Sequence, residues 1–117
     1  MPTIFTCGGP GKSKTFTYEG DRESGVIIKY AYSPVEVSPL FLKAAIGHFK
    51  GKEVKGGFSM TDPPPGGFGY WVQNQSKTLN KTPLTPRHGS HIAAILREMG
   101  YLQCRTEGNT VIVTFNS

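Results

Sequence analysis

Cysteine is scarce in this chain of 117 residues, which contains only Cys7 and Cys104. Two cysteines are too few for a disulfide-rich scaffold, and they stand too far apart to form the paired motif of a metal site. The simplest interpretation is a reduced protein of the cell interior, cytoplasmic or associated with the nucleoid. One long-range disulfide is the alternative.

Long apolar runs and a secretory leader are also missing. No apolar stretch approaches the ~18 residues of a membrane span, and the chain does not start with a basic and then apolar segment, so we expect no membrane partner. Hydrophobic residues make up 37% and charged residues 18% of the sequence, which is typical of a folded domain. The length predicts a single domain over residues 1–117.

Carboxylates are rare in the middle of the chain. Residues 43–91 hold seven Lys and Arg against two Asp and Glu, whereas both flanking segments are balanced. The whole formal charge of +5 therefore belongs to this central segment. Such asymmetry points to a polyanionic partner, with a solvated lysine-rich surface as the alternative. The central basic residues are Lys43, Lys50, Lys52, Lys55, Lys77, Lys81 and Arg87.

The first third of the chain predicts short strands. Residues 3–6, 14–18 and 26–32 are rich in β-branched and aromatic side chains. Polar and aromatic residues alternate around Phe16, so Phe16 should face the opposite side from Thr15 and Thr17. The polar residues 19–25 predict a loop.

The middle of the chain predicts two helices. Ser38-Pro39 combines an N-cap residue with a proline at the first helical position, and Gly51 suits the residue that follows a last helical turn. Apolar spacing over residues 68–75 predicts a second, shorter helix with an aromatic face. Residues 52–55 predict an edge strand between the helices, and residues 76–84 predict a polar, basic loop.

The clearest helix signal is Thr85-Pro86, which predicts a helix over residues 86–99 with Gly100 at its end. A strand, a turn and a second strand are expected over residues 101–115. The predicted buried stripe of the helix is Ile92, Ile95, Leu96 and Met99. Its predicted exposed side is Arg87, Ser90, His91, Ala94 and Arg97.

From residue 38 onward, the predicted order is helix, strand, helix, helix, strand, turn, strand. This order resembles that of a winged-helix domain, and the best-matched part is the helix over residues 86–99 running into the hairpin. The expected fold class is therefore α+β, with an N-terminal extension of short β-strands over residues 1–33 and a winged-helix-like unit of three helices and a β-hairpin over residues 38–117. The resemblance implies that helix 86–99 lies in the major groove of duplex DNA.

Phosphate contacts are expected around the start of this helix. Lys77, Lys81 and Arg87 cluster there with hydroxyl and amide donors, and free backbone amides at a helix start attract phosphate as well. The resemblance implies limited sequence readout by the exposed side of the helix and a lesser contact by the wing. The predicted nucleic-acid-binding residues are Lys77, Lys81, Arg87, Ser90, His91, Arg97 and Arg105, and Asn109 is a further candidate on the wing.

Two other functions stay open at this point. A protein-interaction module would use the proline-rich connector and the aromatic residues between Pro63 and Trp71. A small nuclease would use His48, His88 and His91 as acid and base. No metal or cofactor is expected, because no carboxylate or cysteine near the histidines completes a ligand set.

Overall fold

The structure is a computed structural model that describes residues 3–7, 15–29, 34–57, 65–80, 83–107 and 110–116, apart from the side chain of Thr3. The expectations for Lys81, Pro63 and Asn109 lie outside these residues. Helices and antiparallel sheets together confirm the α+β class. The elements in chain order are β1 (Thr3–Phe5), β2 (Thr15–Asp21), β3 (Gly25–Lys29), β4 (Val35–Val37), α1 (Pro39–Phe49), β5 (Glu53–Lys55), α2 (Phe68–Leu79), α3 (His88–Glu98), β6 (Leu102–Glu107) and β7 (Thr110–Phe115).

Strands β1 to β4 form an antiparallel sheet in sequence order. Ile4 lies opposite Phe16, and Tyr18 lies opposite Ile28, so these four side chains share the buried face. Thr15 is exposed and Thr17 is only partly buried, whereas Phe16 and Tyr18 are buried, which agrees with the predicted alternation. The sheet packs this face against α1 and α3.

Strand β2 extends into the segment that was predicted to be a loop, and β4 was not predicted. Only residues 22–24 form the turn, because Asp21 already closes it: its carboxylate accepts the backbone N–H groups of Glu23 and Ser24 at 2.9 and 2.8 Å. Such an Asx turn is a local alternative to a longer loop. Strand β4 has only three residues, too short for a period-two pattern to be read from the sequence.

Helix α1 begins and ends where the sequence predicts. The Ser38 hydroxyl accepts the Phe41 N–H at 3.1 Å. Gly51 has a φ of +73°, a conformation that residues with a side chain rarely adopt. Helix α2 continues to Leu79, so the predicted loop over residues 76–84 is wrong in its first half. The hydroxyl of Ser76 explains the extension, because it is buried within the fold instead of facing water.

Helix α3 begins at His88, two residues later than predicted, with Arg87 as its N-cap. The backbone N–H of Thr85 donates to Nδ1 of His88 at 2.9 Å, which holds residues 86–87 in a turn before the helix. Gly100 ends the helix with a φ of +90°, as expected.

Strands β5, β6 and β7 form a second antiparallel sheet in the order β5-β7-β6. The predicted hairpin is confirmed as β6 paired with β7, and the predicted edge strand β5 pairs with β7 on its other side. Phe115 of β7 stacks on Phe49 of α1 with ring centroids 5.1 Å apart, so this sheet joins the same core as the helices.

Cys7 and Cys104 form a disulfide, with their Cα atoms 6.1 Å apart. This result replaces the expected reduced state and agrees with the alternative of one long-range bridge. Cys7 directly follows the β1 region, whereas Cys104 lies on β6. The bridge therefore links the N-terminal sheet to the C-terminal sheet.

Helix α3 is the central element of the molecule. Residues 92–96 are fully buried one after another, which covers more than a complete turn. Strand β1 packs on one side of the helix, β6 on another, and α2 also contacts it. A helix that is buried all round is a core helix. The predicted exposed side is therefore wrong for Ser90 and Ala94, which are both buried.

Candidate nucleic-acid interface

The connection between α2 and α3 is held by one buried hydroxyl. Oγ of Ser76 accepts the backbone N–H of Leu84 at 2.8 Å and donates to the carbonyl of Gln73 at 3.0 Å. Leu84 is itself buried, so the chain before α3 is anchored on the last turns of α2. Ser76 thus defines a corner between α2, which carries Lys77, and the segment that leads through Leu84 to Arg87.

A second contact joins the end of β5 to the start of α2. The backbone N–H of Gly69 donates to the carbonyl of Gly56 at 2.7 Å. A Cβ placed on Gly69 would lie 3.1 Å from Cβ of Pro86. Gly69 therefore adjoins both Gly56, which follows Lys55, and Pro86, which precedes Arg87.

We name Lys55, Lys77 and Arg87 the basic junction. All three side chains are exposed. None of them forms an ion pair with any residue that the structure describes. Lys55 was counted among the central cations but was not predicted as a site residue, because its sequence position gave no indication that β5 ends beside α3.

Backbone amides at the start of α3 are not available to an anion. The N–H groups of His88, Gly89 and Ser90 donate to the carbonyls of Thr85, Pro86 and Arg87 at 2.9–3.2 Å. The expectation of free amides at this helix start is therefore wrong for these three residues. Attraction for phosphate at the junction comes from the side chains.

The N-terminal sheet covers the predicted reading face of α3. The carbonyl of Ser90 accepts the N–H of Cys7 at 3.2 Å, and the Ser90 hydroxyl donates to the carbonyl of Arg87 at 2.9 Å. The ring of His91 contacts the ring of Phe16 edge-on, with centroids 4.8 Å apart. Ser90 and His91 therefore face the protein and not a groove of DNA.

Arg97 also contacts the N-terminal segment. Its Nη2 donates to the carbonyl of Phe5 at 2.6 Å, and its Nη1 lies 3.6 Å from Sγ of Cys7. A charge-assisted bond to a backbone carbonyl is one of the stronger hydrogen bonds in proteins. In this structure, Arg97 holds β1 in place instead of projecting towards a nucleic acid.

Arg105 on the predicted wing is neutralised by its neighbours. Its guanidinium donates to carboxylate oxygens of Glu53 and Glu107. These two hydrogen bonds raise the pKa of Arg105 and lower that of Glu53. A phosphate would have to compete with both carboxylates, so Arg105 does not extend the basic junction.

The histidines of α3 do not form an acid–base pair. Burial lowers the pKa of His88, and burial lowers the pKa of His91 to about 4. Both rings are therefore largely neutral near pH 7, without the imidazolium that a general acid needs. His48 is on α1 and stacks on Trp71, with ring centroids 5.6 Å apart. This arrangement gives no support to the nuclease alternative.

Trp71 belongs to the core and not to a surface patch. Its ring lies 5.2 Å from that of Phe41 and 5.4 Å from that of Phe49, measured between centroids. Phe68 is fully buried, and Tyr70 is the exposed aromatic residue of this helix start. The alternative of a protein-interaction surface loses two of its three aromatic residues.

No protein family, curated protein or solved structure matches this chain. Within the described ranges, no helix is long and apolar enough to cross a membrane. No group of His, Cys, Asp and Glu side chains suited to hold a metal ion occurs in the same part of the chain. The functional proposal therefore rests on the geometry of the site.

One feature of the sequence is compatible with a covered α3. Ser90 and Ala94, on the side predicted to face solvent, are small, and so are Gly89 and Ala93 beside them. Small residues at helical spacing allow another backbone to approach closely. Here that backbone is the segment after β1, through the bond between Cys7 and Ser90.

Proposed function

We propose that this chain binds nucleic acid through the phosphate backbone, with the basic junction as its principal contact and duplex DNA as the preferred form. The observation that carries the proposal is that α2 contacts the end of β5 at Gly69 and the segment before α3 at Ser76, so that the elements bearing the exposed cations adjoin one another. Cations that reach phosphates provide affinity without reading sequence. Lys81, between Lys77 and Arg87 in the sequence, belongs to the same proposal.

The strand order gives further support. The order α1, β5, α2, α3, β6, β7 matches the element order on which the winged-helix resemblance rests. In the proposed complex, the amino end of α3 approaches a phosphate through Arg87. The remainder of α3 is covered, so we propose weak sequence preference for this state.

The proposal predicts a loss of salt-dependent binding when the junction loses charge. In K77Q/R87Q, two phosphate contacts disappear, so the slope of log affinity against log salt should flatten by about two. Affinity at about 50 mM salt should fall at least about tenfold. Fluorescence anisotropy with a labelled duplex of about 20 base pairs and with a labelled single-stranded RNA measures both quantities.

The matched control is K29Q/K43Q, which removes the same amount of charge elsewhere. Lys29 on β3 forms an ion pair with Glu19 at 3.0 Å, and Lys43 on α1 forms one with Glu23 at 3.5 Å. This variant should keep the parental salt slope. Equal losses in both variants would mean that net charge alone drives binding, and the absence of salt-dependent binding to any nucleic acid would end the proposal.

A further inference from the structure

The disulfide joins the segment after a short edge strand, β1, to β6, and a cation lies beside it. Strand β1 has three residues and pairs only with β2, and its Phe5 side chain is 59% exposed. We name residues 3–7 the strap. The strap crosses α3 and is held there by Cys7 and Arg97.

The sulfur of Cys7 has a charged neighbour. Nη1 of Arg97 lies 3.6 Å from it. The other ionisable groups on the neighbouring elements are His88, His91 and Glu98 on α3, Tyr18, Glu19 and Asp21 on β2, and Arg105 and Glu107 on β6. A guanidinium beside a sulfur stabilises the thiolate, which makes that cysteine a better leaving group in thiol–disulfide exchange.

We propose that Cys7–Cys104 is a thiol–disulfide exchange site, and that its reduction by a dithiol, with Arg97 stabilising the departing Cys7 thiolate, releases the strap from α3. Cys7 is only 3% exposed, whereas Cys104 is half-buried, so the attack falls on Sγ of Cys104. The strap contributes the side chains of Ile4 and Cys7 to the core. The pairings β2–β3, β3–β4, β5–β7 and β6–β7 do not involve it, so we expect both sheets to keep them when it leaves.

The exchange takes place in two balanced steps. A thiolate of the dithiol attacks Sγ of Cys104, the protein S–S bond breaks, and Cys7 leaves with the electron pair as a thiolate. The second thiol of the dithiol, after losing its proton, attacks the mixed disulfide and displaces Cys104 as a thiolate. The dithiol is oxidised by two electrons to its own disulfide, and the protein sulfurs take up protons as their pKa values dictate.

Release of the strap would change the surface of α3. The carbonyl of Ser90 loses the N–H of Cys7, and Nη2 of Arg97 loses the carbonyl of Phe5. Arg97 then becomes a cation available on the helix whose amino end holds Arg87. This consequence, unlike the exchange chemistry itself, rests on the proposed nucleic-acid function.

Hydrogen exchange tests the release directly. In full-length protein treated with dithiothreitol, amide protection over residues 3–7 should fall at least tenfold, while protection over β3 (Gly25–Lys29) should stay unchanged. Intact protection of the strap in the reduced protein would overturn the proposal. Simultaneous loss of protection in β3 would also overturn it, because the bridge would then support the whole fold and not the strap.

The rate of reduction tests the role of Arg97. Because a stabilised Cys7 thiolate leaves faster, R97Q should slow the reduction of Cys7–Cys104 by dithiothreitol at pH 7 by at least about threefold, and R97K, which keeps the cation, should restore most of the rate. Alkylation at timed intervals, followed by peptide mass spectrometry of Cys7 and Cys104, measures the rate in the wild-type protein and in both variants. Equal rates in the three proteins would overturn that role.

Nucleic-acid binding in both redox states separates the two proposals. Tighter binding by the reduced protein, lost in R97Q, supports the released face as a contact. Binding that is equal in both states while the strap is released overturns only that consequence. Failure to bind in either state overturns the proposed function, while the exchange chemistry is still judged by the two preceding experiments.

Discussion

Gly69 shows how a single residue decides whether three elements can meet. A Cβ on this residue would lie 2.1 Å from the carbonyl oxygen of Gly57, a distance that real Cβ atoms do not show. Glycine is therefore required for the close approach of α2 to the end of β5, although it weakens a helix on propensity grounds. The basic junction depends on that approach.

At this scale we predict that Gly69→Ala destabilises the protein. The backbone of β5 must move away, and overpacking of this kind costs about 1–3 kcal/mol in the free energy of unfolding. Gly47→Ala on α1 is the control, because a Cβ there meets nothing within 4 Å. That change should be neutral or stabilise by up to about 1 kcal/mol. Urea unfolding of both variants measures the difference, and a neutral Gly69→Ala would contradict the close approach.

At the scale of elements, a hydrogen bond between Ser76 on α2 and Leu84 in the segment before α3 could not be predicted from the sequence. The buried Ser76 hydroxyl satisfies the N–H of Leu84, which no water reaches. A buried donor without a partner is costly, so the corner is defined by this one side chain. The predicted loop over residues 76–84 failed because Ser and Thr are weak helix formers, whereas this contact exists only after folding.

We therefore expect Ser76→Ala to cost about 1–3 kcal/mol, since it leaves the N–H of Leu84 buried and unpaired. Thr78→Ala is the matched control on the same helix turn. The Thr78 hydroxyl donates to the carbonyl of Gln75 at 3.3 Å, but the side chain is exposed. The control should change stability by no more than about 0.5 kcal/mol. Chemical unfolding compares the pair, and equal changes in the two variants would show that the bond from Leu84 to Ser76 adds no stability of its own.

At the scale of the whole molecule, α3 is enclosed between two sheets, and this enclosure makes folding sensitive to acid. Burial lowers the pKa of His91 to about 4 and also lowers that of His88. The unfolded chain, with histidine pKa values near 6.5, therefore binds more protons than the folded chain between about pH 4 and 6.5. The stabilisation is complete above about pH 6.5 and is lost as the pH falls towards about 4.

We expect the free energy of unfolding to fall by about 2–3 kcal/mol from His91 across this range. The carboxyl pKa values of Asp21, Glu23 and Glu53 are lowered by their hydrogen-bond partners, and their contributions are lost only below about pH 4.5. Urea unfolding between about pH 4.5 and 7 isolates the histidine effect. The pH dependence should flatten in His91→Gln. An equally steep dependence in that variant would show that the His91 ring is not protected by the N-terminal sheet.

Local sequence patterns determined many of the secondary-structure elements of this molecule. The cap at Ser38, the positive φ at Gly51 and Gly100, the alternation around Phe16 and the hairpin after α3 all depend on residues close in sequence. The interactions that produce these features lie within one helical turn or one strand pair, so the sequence alone predicted the α+β class. The concentration of positive charge in residues 43–91 is likewise a property of the sequence.

Tertiary structure alone decided what those elements do to one another. Nothing near Ser90 or Arg97 in the sequence indicates that a strand about ninety residues earlier covers them, because that contact becomes favourable only when the sheet buries Phe16 and Ile4 against α3. The periodicity of α3 shows that it has an apolar stripe, but its small residues are compatible with either water or a neighbouring backbone. Long-range packing made that choice: it buried the predicted reading face and left the basic residues beside Gly69 and Ser76 exposed.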